Sequence, residues 1–180
     1  QTRKAADYPN HFGLEVIPDT NFMIVPVVSS ERRRYIPIGF MTPDKFCSNQ
    51  VNLIPNATLY HFGVLTSNVH MAWMRAVCGR LKSDYRYSKD IVYNNFPWAE
   101  VNETQLAKIA ETAQGILDAR ALYPDCSLAD LYDEVTMPIE LRRAHQANDR
   151  AVMQAYGFPI GMSESECVAR LLEMYQTILE

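Results

Sequence analysis

The sequence has few glycines and lacks the short motifs that bind nucleotides or metals. Only 7 of its 180 residues are glycine, and none falls in a G-x-G-x-x-G pattern or a phosphate-binding P-loop. The four cysteines are widely spaced and form no C-x-x-C pair, which argues against a zinc site or a dithiol redox motif. We therefore expect reduced thiols, no metal site and no cofactor site in this sequence.

Long apolar runs and catalytic signatures are also missing. No run approaches the roughly 18 residues that a membrane span needs, and residues 1–19 have no apolar stretch typical of a secretory signal. The four histidines are isolated, and no serine lies in a G-x-S-x-G setting. We expect a cytoplasmic protein segment without a self-contained active site. The chain does not begin with Met, which favours a part of something longer.

Charge is distributed unevenly along the chain. Residues 1–98 carry 11 Lys and Arg against 7 Asp and Glu, a net charge of +4, whereas residues 99–180 carry 6 against 14, a net charge of −8. Such an asymmetry suggests two different surfaces, one of them suited to a polyanion. Chance clustering of surface charge explains the same numbers, so charge alone does not decide between these interpretations.

The first half reads as mixed strand and helix. A β-branched run over 22–28 and a second run over 34–41 predict strands, each interrupted by a proline. Residues 57–66 predict either a third strand or the lead-in to a helix. Apolar residues at helical spacing behind Ser67 predict a helix over 68–81, with His70 a partly exposed structural residue, and extended segments follow over 85–93.

The second half reads as helical. Apolar residues recur at helical spacing after an Asn102–Gln105 capping box, a further helix follows Pro138, and a last one over 164–179 follows Ser163. The predicted fold class is therefore α+β. A small mixed β/α portion occupies residues 1–98, with 1–20 as a loop, and a C-terminal helical bundle occupies residues 99–180.

Cationic and aromatic residues are concentrated between positions 31 and 98, and one pair within this region suggests base recognition. Lys82 and Asp84 are two residues apart, which places them on one face if the segment is extended. Lysine donates to guanine O6 and N7, and aspartate accepts from cytosine N4, so the pair could read one G·C base pair from the major groove. The alternative is an ordinary surface ion pair of little energetic consequence.

Four stretches resemble a known family. They are Ser29–Phe40, Phe62–Ser67 followed by Trp73, Gly79–Ser88, and Tyr93–Trp98. Together they are similar to the target-recognition region of MmeI-like type IIL restriction–modification proteins. These are large bacterial DNA adenine methyltransferases, many of them fused to an endonuclease. The helical remainder resembles the C-terminal domain of this family less specifically.

The resemblance implies a DNA-recognition part of a larger enzyme. The family's catalytic motif, Asn-Pro-Pro-Tyr or Asn-Pro-Pro-Phe, and its cofactor-binding glycine motif are both missing here, so no catalytic residue is assigned. S-adenosylmethionine and an upstream methyltransferase domain are implied for the parent chain, and double-stranded DNA is the implied partner. Family members vary the residues at the positions of Lys82 and Asp84 with the base pair they recognise, which implies the base-reading role.

The resemblance also selects the residues expected to contact phosphates. Arg80 and Arg86 flank the pair and rank first, and Arg32, Arg33 and Arg34 rank next, with Lys89 nearby. Two other classes stay open. The helical half could serve a protein-interaction or assembly module without direct DNA contact, or the chain could be an independent enzyme with an unrecognised site.

Overall fold

A strand in two parts begins the described structure, a computed structural model that covers residues 18–179. The expectation of a loop over 1–20 therefore lies almost entirely outside the described residues. Strand β1 (Phe22–Pro26) and strand β2 (Val28–Ser29) are separated by Val27. Pro26, at the end of β1, has no N–H to donate to the ladder. Val27 then donates its N–H to the Gln50 carbonyl and accepts from the Tyr87 N–H.

The two parts of this strand enter different sheets. β1 lies between β3 (Gly39–Met41) and β4 (Val51–Pro55) in an antiparallel sheet of order β3-β1-β4. Of the strand predicted over 34–41, only β3 at its end is formed. Ile36 and Ile38 are buried, and the Ile38 N–H bonds to the Ile36 carbonyl, so this stretch is held by a tight turn and by core packing.

Two helices follow the first sheet. Helix α1 (Leu59–Leu65) begins at a capping box between Thr58 and His61. Of the two structures predicted for residues 57–66, a strand or the start of a helix, the chain adopts the helix. Helix α2 (Asn68–Val77) is capped by Ser67, as predicted, but ends before residue 81. The backbone of Cys78 is already extended there and leads into β5.

The second sheet has the order β2-β6-β5, formed with the hairpin of β5 (Gly79–Leu81) and β6 (Asp84–Arg86). A short π-helical turn, Lys89–Tyr93, follows where an extended segment was expected. The Trp73 indole N–H donates to the Val92 carbonyl over 2.9 Å, which ties this turn to α2. His70 is fully buried and contacts the Tyr87 hydroxyl at 3.0 Å, so the predicted partial exposure is wrong.

Four helices make up the remainder: α3 (Glu103–Ala121), α4 (Leu128–Leu131), α5 (Ile139–Ala155) and α6 (Glu164–Leu179). The predicted caps at Asn102 and Ser163 are both present. The α+β class is thereby confirmed. Within residues 18–179, no helix combines the length and apolar character needed to cross a bilayer.

The helices of the first half pack directly against those of the second. A Cβ added to Gly63 of α1 would lie 2.6 Å from Cγ2 of Ile109 and 3.1 Å from Cβ of Ala113, both on α3. The Asn148 amide on α5 donates to the Gly63 carbonyl over 2.7 Å. Buried apolar residues of both halves form one continuous core. We call this contact of α1 and α2 with α3 and α5 the junction.

Candidate nucleic-acid interface

The β5–β6 hairpin, residues 79–86, carries the predicted base-reading pair. All three β5 residues are exposed, and so are Lys82 and Ser83, which form its two-residue turn. Asp84 begins β6 and is half-buried, and the buried Tyr85 anchors that strand. We call this unit the recognition hairpin, because its tip projects the predicted pair towards solvent.

Lys82 does not lie on an extended segment, so the expected alternation of Lys82 and Asp84 on one strand face is wrong. Lys82 occupies the turn with a φ of 56°, in the left-handed region. Glycine and asparagine are favoured at such turn positions, and a residue with a Cβ pays roughly 1–2 kcal/mol there. The hairpin still brings both side chains to its tip, by the turn rather than by strand alternation.

The register of the hairpin divides its residues between two faces. Arg80 pairs with Tyr85, whereas Leu81 pairs with Asp84 and Gly79 with Arg86. Directly opposed residues of an antiparallel pair share a face, and successive residues alternate. Asp84 and Arg86 therefore lie on one face, and Arg80 lies on the other with Tyr85.

Arg80 makes three interactions within the hairpin region. Its guanidinium lies 4.2 Å from the centroid of the Tyr85 ring and donates to the Ser83 carbonyl over 2.9 Å. A carboxylate oxygen of Glu31 is 3.9 Å away. These contacts already occupy much of the side chain that ranked first for a phosphate contact.

The turn carrying Arg32, Arg33 and Arg34 lies beside the recognition hairpin. The Glu31 main-chain N–H donates to an Asp84 carboxylate oxygen over 3.4 Å, and the other Asp84 oxygen has no hydrogen-bond partner within residues 18–179. The Arg33 N–H closes the turn on the Ser30 carbonyl at 3.1 Å. Predicted base and phosphate contacts are thus adjacent, although they are about 50 residues apart in sequence.

A cleft of about 450 Å³ lies behind this turn and reaches α6. Arg75 of α2 spans it, donating to the Arg34 carbonyl over 2.6 Å and to a Glu164 carboxylate oxygen over 3.0 Å. The Arg34 guanidinium lies 5.6 Å from the Tyr35 ring. Sequence reasoning did not assign Arg75 a role, because its carbonyl and carboxylate partners are distant in the chain.

Arg86 and Lys89 differ from Arg80 in having no ion pair within the described residues. Both side chains are exposed, Arg86 on β6 and Lys89 at the start of the π-helical turn. Arg32 is exposed and Arg33 half-buried, and neither side chain has a carboxylate partner in residues 18–179. These four cations keep their donors available for an anionic partner.

A buried polar network holds the residue that follows the arginine turn, Tyr35. The Tyr35 hydroxyl donates to Asp149 over 2.6 Å, and the Asn68 N–H donates to the other Asp149 oxygen over 2.8 Å. Burial raises the pKa of the Asp149 carboxyl, while both hydrogen bonds oppose that rise. This carboxylate therefore links the arginine turn, α2 and α5.

His145 extends the network on the other side of Tyr35. The two rings are stacked with centroids 4.1 Å apart, and His145 Nε2 is 2.7 Å from the Tyr132 hydroxyl, which also accepts from Arg120. Burial, reinforced by nearby Arg120 and Arg34, lowers the pKa of His145 well below its usual value. The ring is neutral at pH 7 and acts in packing and hydrogen bonding.

S-adenosylmethionine does not fit the residues described. The described glycines lie at strand starts (Gly39, Gly79), inside helices (Gly63, Gly115) or in the α5–α6 connection (Gly157, Gly161), so no glycine-rich strand-to-helix turn is available. Among residues 18–179, no group of three His, Cys, Asp or Glu is placed to hold a metal ion.

Comparison with known proteins identifies the family. The model of the MmeI target recognition domain matches residues 1–100, and the model of the MmeI C-terminal domain matches residues 101–180. The chain belongs to the MmeI family. This confirms the resemblance carried by the four sequence stretches.

Two relatives are much longer than this chain. DNA methyltransferase A of Bacillus subtilis (strain 168) is 43% identical over 162 residues, which are 89% of this chain and 18% of that protein. The solved structure of the type IIL restriction–modification enzyme MmeI in complex with DNA matches with a TM-score of 0.94 and 47% identity. That match covers 99% of this chain and 24% of the MmeI chain, so the sequence spans about a fifth to a quarter of these relatives.

Proposed function

We propose that this chain is the sequence-recognition part of a bacterial DNA adenine-N6 methyltransferase of a restriction–modification system. One observation carries the proposal: an exposed hairpin tip presents Lys82 and Asp84 beside a turn of three arginines. The overall likeness to an MmeI structure solved with DNA supports the same conclusion.

The recognition hairpin enters the major groove with its tip leading. The Lys82 ammonium donates to guanine O6 and N7, and the free Asp84 carboxylate oxygen accepts from the cytosine N4 amine of the same base pair. Such contacts discriminate against a wrong base by about 1–3 kcal/mol. A two-residue turn suits this role, because the tip is narrow and both flanking strands belong to a sheet.

Phosphate contacts set the register of the hairpin on DNA. Arg32, Arg33, Arg86 and Lys89 are the preferred phosphate ligands, because none has a carboxylate partner in the described chain. Arg34 and Arg80 are weaker candidates, since each guanidinium already lies over an aromatic ring.

Methyl transfer takes place outside the described residues. The target adenine is flipped out of the duplex into a methyltransferase domain of the same parent protein, which also binds S-adenosylmethionine. The acidic helical half faces away from the DNA or packs on that domain. Because the substrate is chromosomal or invading DNA of a bacterium, the protein acts in the cytoplasm.

The test exchanges the chemistry of the pair in the full-length protein. Lys82→Glu together with Asp84→Arg places an acceptor where the donor was and a donor where the acceptor was. We expect the methylated motif to change from G to C at one position, as measured by sequencing methylated bases in DNA from cells that express each variant. An unchanged motif with full activity would refute the role of the pair.

A protein-interaction module without DNA contact is the competing function. DNA binding that weakens steeply with added salt separates the two, since phosphate contacts release counterions. Tight S-adenosylmethionine binding that depends on residues of this chain would instead favour an independent enzyme.

A further inference from the structure

Arg80 combines a position on the recognition hairpin with contacts that point away from a phosphate role. It lies on the Tyr85 face, opposite to the face that carries Asp84 and Arg86. Its guanidinium covers the Tyr85 ring at 4.2 Å. The side chain is still 46% exposed, but its guanidinium is already engaged, which makes it less available to a phosphate than the unpaired Arg86 on the other face.

The contacts of Arg80 converge on the turn. Its donation to the Ser83 carbonyl over 2.9 Å crosses the hairpin from β5 to the residue between Lys82 and Asp84. The Glu31 carboxylate at 3.9 Å lies in the segment whose main-chain N–H contacts Asp84. Arg80 thus bonds to the carbonyl that follows Lys82 and lies next to the segment whose N–H holds Asp84.

The turn has a reason to need such a clamp. Lys82 adopts a φ of 56° although it is not glycine, so the local chain does not favour this conformation by itself. A planar guanidinium can lie flat on the Tyr85 ring while an N–H at its edge donates to a carbonyl, whereas the lysine ammonium is a point charge that fixes neither orientation.

We propose that Arg80 is a positioning residue that holds the hairpin turn in the conformation presenting Lys82 and Asp84 to their base pair. Tyr85 and the Ser83 carbonyl are its two anchors. This inference rests on the proposed function, since it assigns a support for the pair that reads DNA.

The experiment compares Arg80 with a phosphate candidate of the same residue type in the full-length protein. Arg80→Gln and Arg32→Gln each remove one guanidinium. We measure the ratio of kcat/KM on the recognition site to that on a site substituted at the hairpin-read base pair. The salt dependence of DNA binding is measured in parallel.

The two variants are expected to give opposite results. Arg80→Gln lowers the discrimination ratio about tenfold and leaves the salt slope unchanged, whereas Arg32→Gln lowers the salt slope by about one and keeps the ratio. Arg80→Lys keeps the charge and still loses discrimination. Tyr85→Phe keeps the ring and behaves as wild type, whereas Tyr85→Leu reproduces the Arg80→Gln result.

The outcomes separate this inference from the function on which it rests. If the Lys82/Asp84 exchange alters the motif but Arg80→Gln follows the Arg32→Gln pattern, Arg80 is a phosphate ligand and the positioning role is refuted. If Arg80→Lys keeps full discrimination, the stacked clamp is refuted as well. If the exchange itself leaves the motif unchanged, the failure is that of the proposed function.

Discussion

The junction and the recognition hairpin treat their polar groups in opposite ways. At the junction, the buried Asp149 accepts two hydrogen bonds and the Asn148 amide bonds to the Gly63 carbonyl. At the hairpin tip, the Lys82 side chain has no partner within residues 18–179 and its backbone is strained. The first arrangement stabilises a fold, whereas the second leaves donors free at a cost in local stability.

The two halves differ in charge and in secondary structure, but their buried residues pack into one core. The first half carries several cations without an ion pair in residues 18–179, among them Arg32, Arg86 and Lys89, yet its helices share one core with the acidic half. Three cations of the helical half are paired with carboxylates: Lys108 with Glu111, Arg142 with Glu134, and Arg170 with Glu173. Two further arginines of this half, Arg143 and Arg150, are exposed without an ion pair in residues 18–179, but 14 carboxylates against six cations leave residues 99–180 with a net charge of −8.

The largest effect is expected where α1 meets α3. Gly63→Ala places a Cβ 2.6 Å from Ile109, and the neighbouring helices must separate, so we expect a loss of about 3 kcal/mol in the free energy of unfolding, measured by urea denaturation. Gly115→Ala, on the same helix as Ile109, places a Cβ with nothing within 4 Å and serves as the control. It is expected to stabilise by up to about 1 kcal/mol. Equal effects of the two would contradict a tight junction.

The second largest effect is expected in the pH dependence of the free energy of unfolding, through a histidine at the junction. The folded pKa of His145 lies well below its usual 6.5, so its stabilising contribution is complete above pH 6.5 and is lost as the pH falls towards the folded pKa. One such group changes the unfolding free energy by about 1.4 kcal/mol per pH unit. Burial raises the folded pKa of Asp149 above 3.8, so this group contributes with the opposite sign between pH 3.8 and its folded pKa.

His145→Phe tests this assignment. The variant keeps a ring to stack on Tyr35 but cannot be protonated, so its unfolding free energy should fall less steeply between pH 6.5 and 4.5 than that of the wild type. Unfolding curves across that range give the two slopes. Parallel slopes would show that His145 does not titrate on unfolding.

The smallest stability effect is expected at the hairpin tip. Lys82→Gly relieves the left-handed backbone and should raise the free energy of unfolding by about 1 kcal/mol, while it removes the proposed donor to the base. Lys82→Ala removes the same donor but keeps the strain. A glycine variant that is more stable but no longer discriminates between base pairs would support a strained hairpin tip beside an unstrained junction. A destabilised glycine variant would contradict the strain at the tip.

Much of the helical half was predictable because its signals are local. The caps at Asn102 and Ser163 lie within three residues of their partners, and the helices begin where these caps predict. The junction was not predictable, since Gly63, Asn148 and Tyr35 act on partners 46 to 114 residues away. Apolar periodicity marks a buried face but not the face it will meet.

The hairpin escaped prediction for a different reason. Its two-residue turn is Lys82-Ser83, with neither Gly nor Asn to mark it, so the segment looked like the end of a helix followed by a strand. The chemistry of the two side chains and the resemblance of this stretch to the family still selected Lys82 and Asp84 as candidates, and their role stays a prediction. The support from Arg80, Tyr85 and the Glu31 main chain depends on the strand register, which the sequence alone did not specify.

The most direct test of the account places a photo-crosslinking amino acid at the hairpin tip. Full-length protein carrying p-benzoylphenylalanine at Ser83 is irradiated on a duplex with its recognition site, and the same residue at the exposed Gln114 of α3 is the control. The account predicts crosslinks from position 83 to bases of the recognition site and none from position 114. Crosslinks from position 114 alone would contradict it.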